Sequence, residues 1–280
     1  MITIRAKRSR SGRSRSVAGT VGITLVVLIG STALFANQIA PGDPFNTEAG
    51  PALSPPTASH WFGTDNLGRD MATGIVHGAR TTMTVVVCVV IISAIIGVSV
   101  GAVAGFKGGL VDDFLMRVGE LFQVVPRFFL ALLVISFFGP GLNKLILLLG
   151  LTSWPFLARI VRADAISIKE KDFAAAARAA GASSIRILVR QIVPNLLPAA
   201  VVVITLFASR VIMIEAGLAF LGLGDQNRMS WGGMANNAQQ FLQVAWWMAL
   251  FPGLAIVLAV LGLNLLGDAL TAALDNRHGR

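Results

Sequence analysis

The sequence predicts an all-α integral membrane protein with about six transmembrane helices. Hydrophobic residues make up 55% of the 280 residues, charged residues only 13%, and the mean hydropathy is +0.73. A chain of this composition would expose a large apolar surface in water, so it requires a bilayer. Its apolar stretches are continuous, whereas the strands of a membrane barrel alternate with period two. The pattern is therefore typical of a helical bundle.

Three of the predicted spans contain no charged residue. A helix needs roughly 20 apolar residues to cross a hydrocarbon core of about 30 Å. Residues 17–39, 81–106 and 243–267 meet this requirement. The first run follows a basic tail, residues 1–16, and is longer than the roughly 7 to 15 apolar residues of a signal peptide. We therefore expect 17–39 to be an uncleaved transmembrane anchor.

Three further predicted spans are less regular and lie at residues 114–138, 145–160 and 194–223. Charged side chains are costly in lipid and usually face a protein interior or a watery cavity. We therefore treat the charges in these spans as candidates for a translocation pathway. The alternative, strongest for Arg127, is that the side chains extend to the membrane interface. The four candidates are Glu120, Arg127, Arg210 and Glu215.

The distribution of Lys and Arg predicts the orientation. With six spans and the N-terminus inside, the outside segments hold only four of the 23 basic residues, namely Arg69, Arg80, Lys144 and Arg228. The positive-inside rule therefore places both termini in the cytoplasm. The same rule explains the net charge of +9, so that charge does not indicate a nucleic-acid partner.

Four tryptophans fall near the predicted outer boundary, where indole rings commonly lie. We expect them to anchor the helices at the interface. They are Trp61, Trp231, Trp246 and Trp247.

A cytoplasmic insert, residues 159–193, looks like part of a soluble protein because it is rich in Ala, Lys and Arg. Asp172 can cap a first helix, which the Ala run favours, and Gly181 permits the left-handed turn that ends such a helix. Ser183 or Ser184 can cap a second helix. These signals predict a helix-turn-helix.

The second helix of the insert is predicted to be amphipathic. Ile185, Leu188 and Ile192 share one face, and Arg186 and Arg190 lie on another. An insert of this kind is expected to bind a soluble partner. The alternative is an amphipathic loop on lipid head groups.

The insert resembles the cytoplasmic coupling loop of ABC importer permeases, whose pattern is Glu-Ala-Ala, then Gly, then Ile and Pro. Ala175 stands where the family has Glu, so the contacts of that Glu cannot be carried over. Gly181 matters more for the shape of the loop. The matching positions are Ala175, Ala176, Ala177, Gly181, Ile192 and Pro194.

The predicted extracytoplasmic loop, residues 40–80, contains a second motif. It resembles the Gly-Thr-Asp-x-x-Gly-Arg-Asp signature of dipeptide and oligopeptide ABC permeases. Without this resemblance, the residues would be explained by turn chemistry. A metal site is a weaker alternative because no other outside ligands cluster with the two Asp residues; we therefore predict no metal. The motif residues are Gly63, Asp65, Gly68, Arg69 and Asp70.

Residues 215–224, 230–234 and 252–268 also resemble the peptide and nickel branch of these permeases. The resemblance implies a type I importer fold in the cytoplasmic membrane, with residues 81–275 as a core of five transmembrane helices and 276–280 as a cytoplasmic tail. It further implies a second related permease, two ATPase subunits or domains that bind ATP and Mg, an extracytoplasmic binding protein, and di- or oligopeptides as cargo. Nickel chelates and other small solutes remain alternative cargo.

The chain lacks the Gly-Lys pair of a phosphate-binding P-loop. We therefore expect a subunit that is not catalytic and is driven by a separate ATPase. One rival is an ion- or proton-coupled transporter that uses Glu120 and Glu215. A membrane enzyme is the other rival, but its candidate residues are scattered along the chain. Those residues are His60, His77, His278 and Cys88.

Overall fold

The computed structural model describes residues 8–278, with side chains from 17 to 274; Arg5 and Lys7 of the predicted basic tail and Arg280 of the C-terminal tail lie outside this part. The described chain is helical, and its longer helices run back and forth beside one another. In chain order the helices are α1 (Arg8–Leu34), α2 (Ala36–Ile39), α3 (Met71–Lys107), α4 (Gly109–Val124), α5 (Arg127–Phe138), α6 (Leu142–Lys169), α7 (Asp172–Ala179), α8 (Ser184–Ile187), α9 (Val193–Phe220), α10 (Trp231–Ala238) and α11 (Trp247–His278).

Five helical segments of the described chain are long and apolar enough to cross a membrane, and α4 with α5 forms a sixth if the two count as one span. The prediction of about six transmembrane helices is confirmed. The five segments are Val17–Leu34, Met71–Lys107, Leu142–Lys169, Ser184–Phe220 and Trp247–Leu274.

The predicted span over residues 114–138 is broken into two helices in the structure. The chain bends by 74° between α4 and α5. Pro126 explains the break, because its ring disfavours helical geometry at the preceding residue. Val125 accordingly has extended backbone angles, and α5 begins directly after the proline, at Arg127.

The most extensive helix contact among the described residues joins α3 to α6. Gly97, Gly101 and Gly105 lie four residues apart, so they form one stripe along α3. A Cβ atom at Gly101 would lie 2.5 Å from the carbonyl oxygen of Ala158, and one at Gly105 would lie 2.5 Å from that of Arg162. Small residues of this kind allow two membrane helices to approach backbone to backbone. Only glycine therefore fits at these positions.

Helix α1 packs closely on α11. A Cβ atom at Gly22 would lie 2.7 Å from the backbone nitrogen of Leu266, and one at Gly262 of α11 would lie 2.9 Å from Cβ of Leu25. At Gly30, by contrast, a Cβ atom would meet nothing within 4 Å. Open space therefore lies beside this position of α1.

Two of the four predicted interface tryptophans are buried instead. Trp231 and Trp247 are 2% and 4% exposed. The indole N–H of Trp231 donates to the carbonyl of Ile75 at 2.9 Å, and that of Trp247 donates to the carbonyl of Thr64 at 3.0 Å. The anchoring prediction is wrong for this pair because backbone acceptors satisfy their indoles inside the protein. Trp61 and Trp246 are exposed, as an interface role requires.

Candidate functional site

The first helix of the insert is α7, and it ends as predicted. Gly181 has φ +78° and lies in the left-handed region. Its backbone N–H donates to the carbonyl oxygen of Arg178, and the N–H of Ala182 donates to the carbonyl oxygen of Ala177. These two bonds form a Schellman motif, which closes the helix. A Cβ atom at Gly181 would meet nothing within 4 Å, so the backbone conformation and not the space requires glycine.

The predicted cap at Asp172 is wrong. The N-cap residue of α7 is Lys171, and Asp172 is the first helical residue, with no side-chain cap at this end. A carboxylate in the first turn still interacts favourably with the helix dipole. Asp172 therefore supports the helix by charge and not by a hydrogen bond.

The second helix of the insert is capped by Ser183, whose hydroxyl accepts a hydrogen bond from the backbone N–H of Arg186. Helix α8 then passes into a π-helical turn, Leu188–Ile192, and continues directly as α9. The second helix is thus the beginning of a transmembrane helix, because the chain is helical from Ser184 to Phe220. A movement of this part of the insert therefore acts on α9 without an intervening loop.

The predicted apolar face of the second helix is partly wrong. Ile192 is buried and Leu188 is partly buried, but Ile185 is 76% exposed, whereas Ile187 is only 1% exposed. The π turn explains the difference, because its hydrogen bonds join residues five apart and so change the register. Ile187 and Ile192 pack in one cluster with Val161 of α6.

The other predicted coupling residues lie on both sides of α7 and at the start of α9. Ala175 and Ala176 are exposed, Ala177 is partly buried, and Pro194 is exposed in the first turn of α9. We use the name coupling surface for five of the exposed apolar residues of the insert. They are Phe173, Ala175, Ala176, Ile185 and Val189.

The loop motif is built around one carboxylate. Oδ1 of Asp65 accepts the backbone N–H groups of Leu67 and Arg69 at 2.8 and 2.9 Å. Gly63 and Gly68 have φ +75° and +76° and lie close to the backbone of residues 50–54. Side chains at these two positions would be strained and would also collide. The motif is therefore a tight, rigid turn.

Asp70 ends the turn and begins a transmembrane helix. Its Oδ2 accepts from the backbone N–H of Thr73 at 2.8 Å, which is an N-cap of α3, and its Oδ1 lies 3.2 Å from Nδ1 of His60. The guanidinium of Arg69 lies 5.1 Å from the ring centre of Phe45. Among the side chains that the structure describes, residues 17–274, no group of three or more His, Cys, Asp and Glu is arranged to hold a metal.

The structure does not bring the four intramembrane charges into one cluster. Glu215 on α9 is 2% exposed, and it lies beside the hydroxyls of Thr82 and Ser230 and not beside Arg210. The guanidinium of Arg210 lies 4.6 Å from the ring centre of Phe156 on α6. Arg127 lies near enough to Arg210 for the two cations to repel each other.

The fourth charge, Glu120 on α4, is exposed. Among the described residues, the ion pairs include none of the four intramembrane charges. The two arginines are therefore the only members of this group that are close together, since Arg210 acts on Arg127 and the carboxylates lie elsewhere.

Residues 97–280, about two thirds of the chain, match a family described as binding-protein-dependent transport system inner membrane component. The chain is an ABC importer permease. The family predicted from the sequence is therefore confirmed; the matched residues include the insert but not the loop motif at residues 63–70. An ion-coupled transporter finds no support in this match.

Curated relatives cover most of the permease. It is 38% identical to the dipeptide transport system permease protein DppC of Alkalihalophilus pseudofirmus, over 93% of this chain and 85% of the relative. It is 35% identical to the oligopeptide transport system permease protein OppC of Bacillus subtilis, over 94% and 86%. It is 32% identical to the nickel transport system permease protein NikC of Escherichia coli, over 91% and 92%.

Sequence reasoning missed one ion pair of the permease. Arg162 of α6 binds Asp112 of α4 through two nitrogens. Both residues belong to segments that the sequence predicts to be polar, and 50 positions separate them. The only sequence signal for the pair was that each residue lies within a few positions of a predicted membrane boundary. Charged residues at such boundaries commonly face water, so this signal is weak.

Proposed function

We propose that this permease moves di- or oligopeptides inward across the cytoplasmic membrane, and that ATP hydrolysis in separate subunits drives it. The observation that carries the proposal is the insert. It presents the exposed apolar side chains of the coupling surface on two short helices, which a membrane protein does not need for its own packing. A soluble ATPase that docks there would cover these side chains.

Buried contacts connect the coupling surface to the membrane helices. Ile187 and Ile192 are buried against Val161 and Ala165 of α6, and Ala174 of α7 belongs to the same cluster. Close-packed interiors transmit displacement because they contain little free volume. A shift of α7 and α8 is therefore expected to move α6 and α9 together. This is the mechanical link that we propose between ATP hydrolysis and transport.

The assembly that we propose contains this permease, a second homologous permease, two ATPase subunits or domains and an extracytoplasmic substrate-binding protein. In this scheme the permease is not catalytic, and ATP and Mg bind to the ATPase subunits. The family description supports a binding-protein partner. The absence of a Gly-Lys pair from the sequence supports an ATPase on another polypeptide.

Peptide cargo is supported by the relatives. A dipeptide permease of Bacillus subtilis is 41% identical over 81% of this chain and 71% of the relative, whereas the nickel permease is 32% identical. The intramembrane arginines add a chemical argument. Arg127 and Arg210 carry positive charges that no neighbouring carboxylate compensates in the described ion pairs. We propose that the C-terminal carboxylate of a peptide passes this pair.

The experiment is reconstitution of the complex, purified from its native membrane, into liposomes with the binding protein. Uptake of labelled dipeptides should require ATP on the side of the liposome membrane where the ATPase subunits lie. It should persist when an ionophore dissipates ion gradients. Nickel chelates serve as the alternative cargo in parallel samples. A purified complex without an ATPase, or uptake that ignores ATP and stops with the ionophore, would refute the proposal in favour of ion coupling.

A further inference from the structure

An apolar groove of about 570 Å³ lies between α1, α3 and α11, and we call it the α1 groove. It lies beside Gly30 of α1, where a Cβ atom would meet nothing within 4 Å. Its volume is within the range of sites that hold small organic ligands. Six of its lining residues are Gly30, Ala33, Arg80, Cys88, Val90 and Leu263.

The depth of the groove matches one leaflet of a bilayer. On α3 its lining runs from Arg80 to Val90. Ten residues of α-helix extend about 15 Å, which is half of a hydrocarbon core of about 30 Å. Arg80 directly precedes the predicted uncharged span 81–106, so we expect its side chain to lie near the lipid head groups. The groove is then expected to extend from the head-group region to the middle of the membrane.

One cation marks the head-group end of the groove. Arg80 is exposed, and its Nη1 donates to the side-chain oxygen of Asn37 at 3.1 Å. The ion pairs of the described residues do not include Arg80, so no carboxylate there neutralises it. An arginine in this position can bind a phosphate with its remaining N–H donors. The rest of the lining is almost wholly apolar.

We propose that the α1 groove holds one acyl chain of a phospholipid whose phosphate binds Arg80. Chemistry points to this occupant: a phospholipid has an anionic phosphate for the cation at one end of the groove and a hydrocarbon chain for the apolar lining along the rest. A single hydrocarbon chain is narrow enough to enter. The bound lipid would fill the space between α1 and α3 and hold the anchor helix in place.

Two glycines provide a matched pair of variants. Gly30 lines the groove, and Gly217 lies on α9 outside it; a Cβ atom at either position meets nothing within 4 Å. Gly30→Phe therefore places an aromatic side chain in the groove from an open Cβ position, and Gly217→Phe adds the same side chain elsewhere. Arg80→Ala removes the phosphate ligand, and Arg80→Lys retains a positive charge.

The test uses the full chain with its co-purifying subunits in vesicles that contain a phosphatidylglycerol with a photoreactive group in its acyl chain. After irradiation, labelled peptides are mapped by mass spectrometry. We expect labelling concentrated on the α1 and α3 peptides that line the groove, including the one with Cys88. Arg80→Ala should lower this labelling about tenfold, as for loss of a charge-assisted hydrogen bond. Gly30→Phe should abolish it, and Gly217→Phe should not change it.

Three results would overturn the proposal. One is equal labelling of all lipid-facing helices in the wild-type protein, since this would mean that lipid covers the surface without a preferred site. Another is unchanged labelling of the groove in Gly30→Phe. The third is crosslinking of the groove to a second protein instead of lipid. The wild-type map alone decides the question if a variant fails to assemble.

Discussion

Asp112 and Arg162 form a two-point ion pair that joins α4 to α6. Nε of Arg162 lies 2.5 Å from Oδ1 of the aspartate, and Nη2 lies 2.6 Å from Oδ2. The carboxylate is nearly buried, and the arginine is about one third exposed. Arg162 directly follows Val161, which packs against the insert. The pair therefore connects the broken α4–α5 span to the helix that contacts the coupling surface.

We expect Asp112→Asn to lower peptide uptake more than ATP hydrolysis. The change leaves the Arg162 charge without its partner, which costs about 1–3 kcal/mol, and it releases α4 from α6. The measurement is the number of peptides transported per ATP hydrolysed. The reversed pair, Asp112→Arg with Arg162→Asp, should recover part of this ratio. An unchanged ratio in the single variant would show that the pair only supports folding.

Gly181→Val should reduce transport and uncouple ATP hydrolysis while the protein still inserts into the membrane. The left-handed conformation costs a residue with Cβ about 1–2 kcal/mol, and more if it is β-branched. Gly181→Asn is the control, because Asn tolerates this conformation. Uptake and ATPase activity are measured in the same liposomes. Normal uptake by the valine variant would contradict docking at this turn.

Substitution of Ile187 should lower the stability of the protein, whereas substitution of Ile185 should weaken binding of the ATPase. Ile187→Ala creates a cavity in the buried cluster and should destabilise the protein by about 2–4 kcal/mol. Ile185→Ala should leave the thermal unfolding temperature almost unchanged but weaken binding of the ATPase, because this side chain is exposed. Thermal unfolding and co-purification of the ATPase separate the two effects. Equal destabilisation by both variants would contradict the burial of only one.

Arg210→Gln should reduce uptake of dipeptides with a free C-terminus about tenfold. The same peptides with an amidated C-terminus lack the carboxylate, so their uptake should change little. Arg210→Lys keeps the charge and should retain part of the preference. Competition between the free and the amidated peptide measures the preference for a free C-terminus. If both forms are affected equally, Arg210 acts on the structure through its contact with Phe156.

Asp70→Ala should destabilise the N-terminal end of α3 by about 1 kcal/mol, because it removes the N-cap that accepts from Thr73. Asp70→Asn keeps an acceptor and should behave like the wild type. Hydrogen exchange at the first turn of α3 measures the difference. Faster exchange in the Asn variant as well would indicate that the contact with His60 matters more than the cap.

The sequence was informative where one residue determines the local backbone. Gly181 and Ser183 predict the turn and the cap of the insert because left-handed geometry and N-capping select few residue types. Pro126 indicates the break between α4 and α5, but the span over residues 114–138 was predicted from the number of apolar residues, which does not take the proline into account. The register of Ile185 and Ile187 depends on a π turn, for which no residue type is diagnostic.

Features that depend on tertiary contact could not be predicted. The burial of Trp231 and Trp247 requires acceptors more than 150 residues away along the chain. The pairing of Asp112 with Arg162 likewise requires the packing of α4 on α6. The functional roles of Glu120, Arg127 and Glu215 stay predictions, because a single permease does not contain the whole pathway that we propose.

The glycine stripe on α3 restricts how the permease can change shape. Gly97, Gly101 and Gly105 hold α3 against α6 at backbone distance, and surfaces interlocked in this way cannot slide without first separating. These two helices are therefore expected to move as one rigid unit during transport, and the changes of angle to occur at other joints, such as the 74° corner after Val124. Spin labels on α3 and α6 should accordingly report one constant separation, while labels across that corner report two.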